Sequence, residues 1–113
     1  MDGLVLSNGI RPGIAGLFKT LAGDLAKDNI TVNLVLPGRI MTDRFREHQT
    51  DRAKRAGVTL EKQMELSSAD IPMGRIGTPD EFAAMVVFLS SARASYVTGT
   101  AVQVDGGLIR SVV

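Results

Sequence analysis

The sequence predicts an α/β fold built on a short parallel sheet, and three observations carry that prediction. Asn29 to Leu36 is a nearly unbroken apolar, β-branched run that stops at Pro37-Gly38, as expected of a strand buried on both faces. A second run, Thr100 to Val104, stops at Asp105-Gly106-Gly107. Each run follows a helical pattern, giving the order helix, strand, helical excursion, helix, strand. That order is a βαβ-type crossover with an inserted lid.

The first long helix is predicted to start between Ser7 and Pro12. Ser7 and Asn8 are competent caps, and Pro12 suits a first helical turn. Ile14, Leu17, Phe18, Leu21 and Leu25 then fall at helical spacing and read as one apolar stripe. Gly13, Ala15, Gly16 and Ala22 are small, which suits close approach of another backbone, from a sheet or from a second copy of the helix. Asp28-Asn29 turns the chain into the central strand. Past Pro37-Gly38, Thr42-Asp43 is a helix-start signature, which places the intervening loop at the carboxyl end of a parallel strand. Ligands of open α/β sheets bind at that end.

From Thr42 to Gly57 the chain is crowded with Arg44, Arg46, Glu47, Asp51, Arg52, Lys54 and Arg55, so this segment reads as an exposed helix ending at Gly57. Thr59 to Leu66 reads as a second short helix capped by Thr59. Together they form an excursion of the kind that acts as a lid. Ser67 to Gly77 is a loop broken by Pro72 and Gly74. Thr78-Pro79-Asp80-Glu81 is a capping box with proline at the first helical position. Phe82, Met85, Val86 and Leu89 give the apolar face of the helix that follows, running to about Ser91.

Several function classes are disfavoured by composition. A net charge of +1 gives no support for a nucleic-acid or membrane-surface partner, and the mixed signs between Arg44 and Arg55 read as a solvated face. With no cysteine there is neither a disulfide framework nor a thiolate metal site, which favours a cytoplasmic setting. No apolar run approaches the ~20 residues of a membrane span, and Met1 to Leu6 lacks a basic leader. His48, the single histidine, lies among charges and reads as solvated, so no metal site is expected. Tyr96, the single tyrosine, reads as structural.

Taken together, Gly16-Leu17-Phe18-Lys19-Thr20-Leu21-Ala22, Ile30-Thr31-Val32-Asn33, Pro37-Gly38 with Thr42, Arg75-Ile76-Gly77-Thr78-Pro79-Asp80-Glu81, Tyr96-Val97-Thr98-Gly99 and Val104-Asp105-Gly106-Gly107 resemble the C-terminal half of a short-chain dehydrogenase/reductase. The nearest branch is the 3-oxoacyl-acyl-carrier-protein reductase-like one. The resemblance implies a partial Rossmann-like, doubly wound parallel sheet: its C-terminal portion, with two strands, helices and a helical lid, as a single unit over residues 1–113. It implies an oxidoreductase of oxo or hydroxy substrates using NAD or NADP. It makes Pro37, Gly38, Ile40 and Thr42 the nicotinamide-side contacts and residues 43–66 the substrate lid. It also implies a homo-oligomer assembled through helices 12–27 and 79–91 and the last strand.

Two departures from the family pattern qualify these implications. No glycine-rich strand-turn-helix is present to supply backbone N–H groups for a pyrophosphate, so the chain alone is expected to bind no dinucleotide. The family's Tyr-x-x-x-Lys pair is replaced as well: counting back from Gly16, the tyrosine position falls on Ser7 and the lysine position on Arg11. A serine hydroxyl is a far weaker acid than a phenol beside a cation, and it reaches less far. Arg11 keeps a positive charge able to orient a hydroxyl or stabilise an oxyanion. Ser7 reads equally as a helix cap and Arg11 as a surface charge. The expectation is a chain inactive by itself, with a complementing N-terminal half as its partner. The alternative is a non-enzymatic oligomerisation or interaction fragment.

Overall fold

The computed structural model describes residues 5–110, with side chains from residue 9 onward. In order, the elements are α1 (Val5–Leu25), a 3-10 turn (Ala26–Asp28), β1 (Leu34–Pro37), α2 (Asp43–Ala56), α3 (Leu60–Ser68), α4 (Pro79–Leu89), a 3-10 turn (Ala92–Ala94) and β2 (Ala101–Val104). The two strands pair in parallel, so the expected α/β class is the one observed. The chain divides into two compact units, Met1–Val35 with Val87–Val102 and Leu36–Val86 with Gln103–Val113.

In the first unit, α1 is already helical at Val5, ahead of the expected start, and Pro12 lies inside it. Proline there removes one intrahelical bond. Ser7 is therefore not the N-cap, and its side chain lies outside the described residues. The single apolar stripe is not observed either. Phe18, Leu21 and Leu25 are half-buried and Ala22 is buried, whereas Ile14 and Leu17 are exposed. The 3-10 turn that follows α1 ends in a left-handed residue, Asn29, whose N–H donates to the Ala26 carbonyl. Ala22 makes the close approach that small residues allow: a Cβ on Gly99 would lie 3.3 Å from the Ala22 Cβ. Lys19 Nζ donates to the Gly99 carbonyl over 2.6 Å and ties the same turn to α1.

The central strand is shorter and less buried than the sequence predicts. Ile30 to Asn33 lie outside it, and Leu34, Val35 and Leu36 are half-buried. No residue of either strand is more than half-buried, so burial on both faces is not reached here. Side chains take over some ladder duties in the lead-in. Val32 N–H donates to Thr98 Oγ1 (3.1 Å), and Asn33 Nδ2 donates to the Val97 carbonyl (2.8 Å). Tyr96 is fully exposed and packs on nothing, contrary to a structural role.

In the second unit the predicted caps form. Thr42 Oγ1 accepts from Phe45 N–H (3.1 Å) and Thr59 Oγ1 from Lys62 N–H (3.2 Å). Gly57 closes α2 in the left-handed region (φ 66°). At α4 the capping box is reciprocal: Glu81 N–H donates to Thr78 Oγ1 (3.3 Å) and Thr78 N–H to Glu81 Oε2 (2.8 Å). The excursion keeps its charges in solvent, yet it has a buried seam that its composition conceals. Gln49 and Ala53 of α2 and Gln63 and Ser67 of α3 are all buried. Each pair is spaced i, i+4, so it presents one helical face. Among the described residues no helix is long and apolar enough to cross a membrane.

Candidate functional site

The loop that leaves β1 is held by backbone on two sides. Gly38 N–H donates to the Val104 carbonyl (2.9 Å), and a Cβ on Gly38 would lie 2.6 Å from both Cα and Cβ of Asp105. Only glycine admits that approach. Pro37 ends the strand without an N–H and is exposed. Three residues on, Ile40 forms an isolated parallel bridge with Gly77: Gly77 N–H donates to the Arg39 carbonyl (3.0 Å) and Met41 N–H to the Gly77 carbonyl (2.8 Å). Thr42 N–H donates to the Ile40 carbonyl (2.9 Å). These bonds occupy the N–H groups of Gly38, Met41 and Thr42; the Ile40 N–H is not among them. Pro37, Gly38, Ile40 and Thr42 thus lie on one loop of fixed backbone at the carboxyl end of a parallel strand.

Asp105 completes the wall opposite Gly38. Its carboxylate accepts from Gly107 N–H (2.9 Å) and Ile109 N–H (2.8 Å), which folds the Asp-Gly-Gly turn back on itself. A cleft of about 370 Å³ opens beside this turn, bordered by Arg39, Ile40, Met73, Gly77, Asp105 and Gly106. A wider, shallower cleft lies along α3, lined by Met41, Arg46, Leu60, Met64, Glu65 and Ile76 among others. Both clefts belong to the second unit.

Two ion pairs stiffen the surroundings. Arg75 grips Glu81 through Nη1–Oε2 (2.9 Å) and Nη2–Oε1 (2.6 Å). That hydrogen bond first, then the Thr78 N–H, holds the Glu81 carboxyl down to about 2. Arg39 grips Asp70 and keeps its carboxyl below the usual range, again chiefly by hydrogen bonding. These charges are paired within the chain.

Arg11 lies in α1, in the first unit, and is exposed. The structure therefore gathers the loop residues into one place and leaves Arg11 on a different unit. The sequence reading missed Arg39 and Asp105. Asp105 carries a local signal, since an aspartate before two glycines commonly folds its own turn. The Arg39 partner is 31 residues away, and nothing local announces it.

Each of the N-termini of α2, α3 and α4 already holds a side-chain oxygen of its own chain, from Thr42, Thr59 and Thr78. Among the described residues, no group of three or more His, Cys, Asp or Glu side chains could hold a metal ion.

A family model described as Enoyl-(Acyl carrier protein) reductase matches residues 6–109. The crystal structure of a short chain dehydrogenase family protein from Francisella tularensis superposes with a TM-score of 0.84 at 35% identity, over 88% of this chain and 41% of that one. The chain belongs to the short-chain dehydrogenase/reductase family. Within that family it is 39% identical to the NADPH-dependent reductase BacG of Bacillus subtilis over 83% of its own length and 36% of the relative's. It is 40% identical to the 3-oxoacyl-[acyl-carrier-protein] reductase FabG of Thermotoga maritima, over 88% of this chain and 36% of that protein. L-sorbose reductase from Gluconobacter frateurii, solved with NADPH and L-sorbose, matches with a TM-score of 0.87 and 33% identity over 93% of this chain and 40% of that one. The chain thus spans little more than a third of the length of the curated relatives it matches.

Proposed function

We propose that this chain supplies the nicotinamide-facing and substrate-covering part of an NAD(P)-dependent oxidoreductase of oxo or hydroxy substrates. The observation that carries this reading is the loop after β1, pinned by Val104, Asp105 and Gly77, with the Ile40 N–H outside its internal bonds. In this reading Pro37, Gly38, Ile40 and Thr42 border the nicotinamide, and residues 43–66 cover the substrate. Ser7 and Arg11 stand at the family's tyrosine and lysine positions. Arg11 supplies a cation, and a serine hydroxyl at the tyrosine position is a poor proton donor. A relative described as NADPH-dependent and a solved relative complexed with NADPH favour NADP over NAD. The setting is cytoplasmic.

By itself the chain neither holds the dinucleotide nor turns over substrate, because the phosphate-binding turn must come from elsewhere. A complementing N-terminal half is the partner this requires. Fluorescence titration of the chain with NADPH tests the reading. The expected result is no binding alone and binding once a glycine-rich N-terminal half of a homologous reductase is supplied; micromolar binding by the chain alone would overturn it.

A second reading, an oligomerisation or interaction fragment, is favoured by one observation. Leu17 on α1 and Val87 on α4 are exposed by 57% and 68%. Apolar side chains left in water at this level favour association. Helices 12–27 and 79–91 and the edge of β2 are the surfaces it would use, as a homo-oligomer.

A further inference from the structure

Arg39 borders the smaller cleft, yet its guanidinium bonds to the end of α3. Nη1 and Nη2 fork onto the two carboxylate oxygens of Asp70, the second at 2.9 Å, and Nη1 also donates to the Ser67 carbonyl. Ser67 in turn donates from Oγ to Gln49 Oε1 (2.7 Å), and Gln63 Nε2 donates to the same oxygen (3.0 Å). Gln49, Gln63 and Ser67 are at most 8% exposed, and no buried side-chain nitrogen or oxygen among the described residues lacks a partner. One continuous polar chain therefore runs from Asp70 through Arg39 and Ser67 to Gln49 and Gln63, linking α2, α3 and the loop after β1.

The backbone of Arg39 is fixed at the same time. Its carbonyl accepts from Gly77 N–H, and the residue before it is clamped on Asp105. The excursion of α2 and α3 is thus closed at both ends on one residue. It leaves the loop at Thr42, three positions after Arg39, and returns to the Arg39 side chain at Ser67 and Asp70. A forked guanidinium is suited to this, since it can serve two carboxylate oxygens and a carbonyl at once, which an ammonium holds less well. The charge of Arg39 is matched by Asp70, so an anion in the adjoining cleft would have to compete with a bidentate partner already in place.

We propose that Arg39 is a positioning residue: its fork onto Asp70 and Ser67 latches the α2–α3 pair to the loop Pro37–Thr42, so that the pair opens only when this latch breaks. The proposal rests on the reading above, in which that loop faces the nicotinamide and the pair covers the substrate. It adds the element that sets how closely one lies over the other.

Amide hydrogen exchange of the full chain, measured without nucleotide, tests it. Arg39→Ala and Asp70→Asn should each speed exchange in α2 and α3 on the order of tenfold while leaving α4 unchanged. The double variant should be no faster than either single one. Arg39→Lys, which keeps the stem and the charge, should fail to restore protection, whereas Asp70→Glu should keep most of it. If Arg39→Ala loosens α4 too, the milder Asp70→Asn and Arg39→Lys variants decide. Additive effects in the double variant, full protection with lysine, or unchanged exchange would overturn the latch. The readout is independent of NADPH titration, so failure of the latch and failure of the proposed function remain distinguishable.

Discussion

Gly38 and Glu81 show how much one residue can fix. Gly38 has no Cβ because the Asp105 backbone stands where one would go, 2.6 Å away. A backbone neighbour cannot swing aside as a side chain can. Gly38→Ala is expected to destabilise the chain by about 1–3 kcal/mol, the range of an overpacked contact, and urea denaturation will read it. Glu81 gives a pH signature. Its folded-state pKa of about 2 lies below the ordinary 4.5, so its contribution is fully present above pH 4.5. That contribution is lost as protons bind on the way down through about pH 2. Glu81→Gln should flatten the stability profile across this acid window, and NMR titration of the Glu81 side chain should give the depressed midpoint directly.

At the scale of elements, capping signals specify boundaries well because they are local. Thr42, Thr59, Gly57 and the Thr78–Glu81 box all act where the sequence places them. Gly57→Ala should cost about 1 kcal/mol, since alanine resists the left-handed conformation that closes α2; thermal melting of the variant checks it. Burial faces were less legible. The seam of Gln49, Ala53, Gln63 and Ser67 is polar or small and sits inside a charge-rich stretch, so apolar periodicity has nothing to detect. The α1 stripe failed for the opposite reason. Its apolar residues are truly periodic, yet only Phe18, Leu21 and Leu25 have neighbours within the chain that cover them.

For the molecule as a whole, the two strands make a sheet with little to cover it. None of the apolar side chains of β1 and β2 is buried, and Leu17, Met73 and Val87 are more than half exposed. Among the described residues the buried apolar side chains are Ala22, Ala53, Ile71 and Ala94, a small core for a chain of this length. The chain is expected to self-associate, and sedimentation velocity should show a dimer or larger species. Val87→Lys and Leu17→Lys should shift it toward monomer if α4 and α1 carry the contact. A compact, concentration-independent monomer would contradict the association.

The sequence alone determined the α/β class, the caps of α2, α3 and α4, the Pro-Gly loop at the end of a strand and the family, because each rests on motifs of residues a few positions apart. The tertiary structure alone decided what closes on that loop. Asp105 lies against Gly38 and Asp70 against Arg39, across 67 and 31 residues of chain respectively. Such pairings answer to packing and hydrogen-bond geometry between distant segments, and no local pattern encodes them.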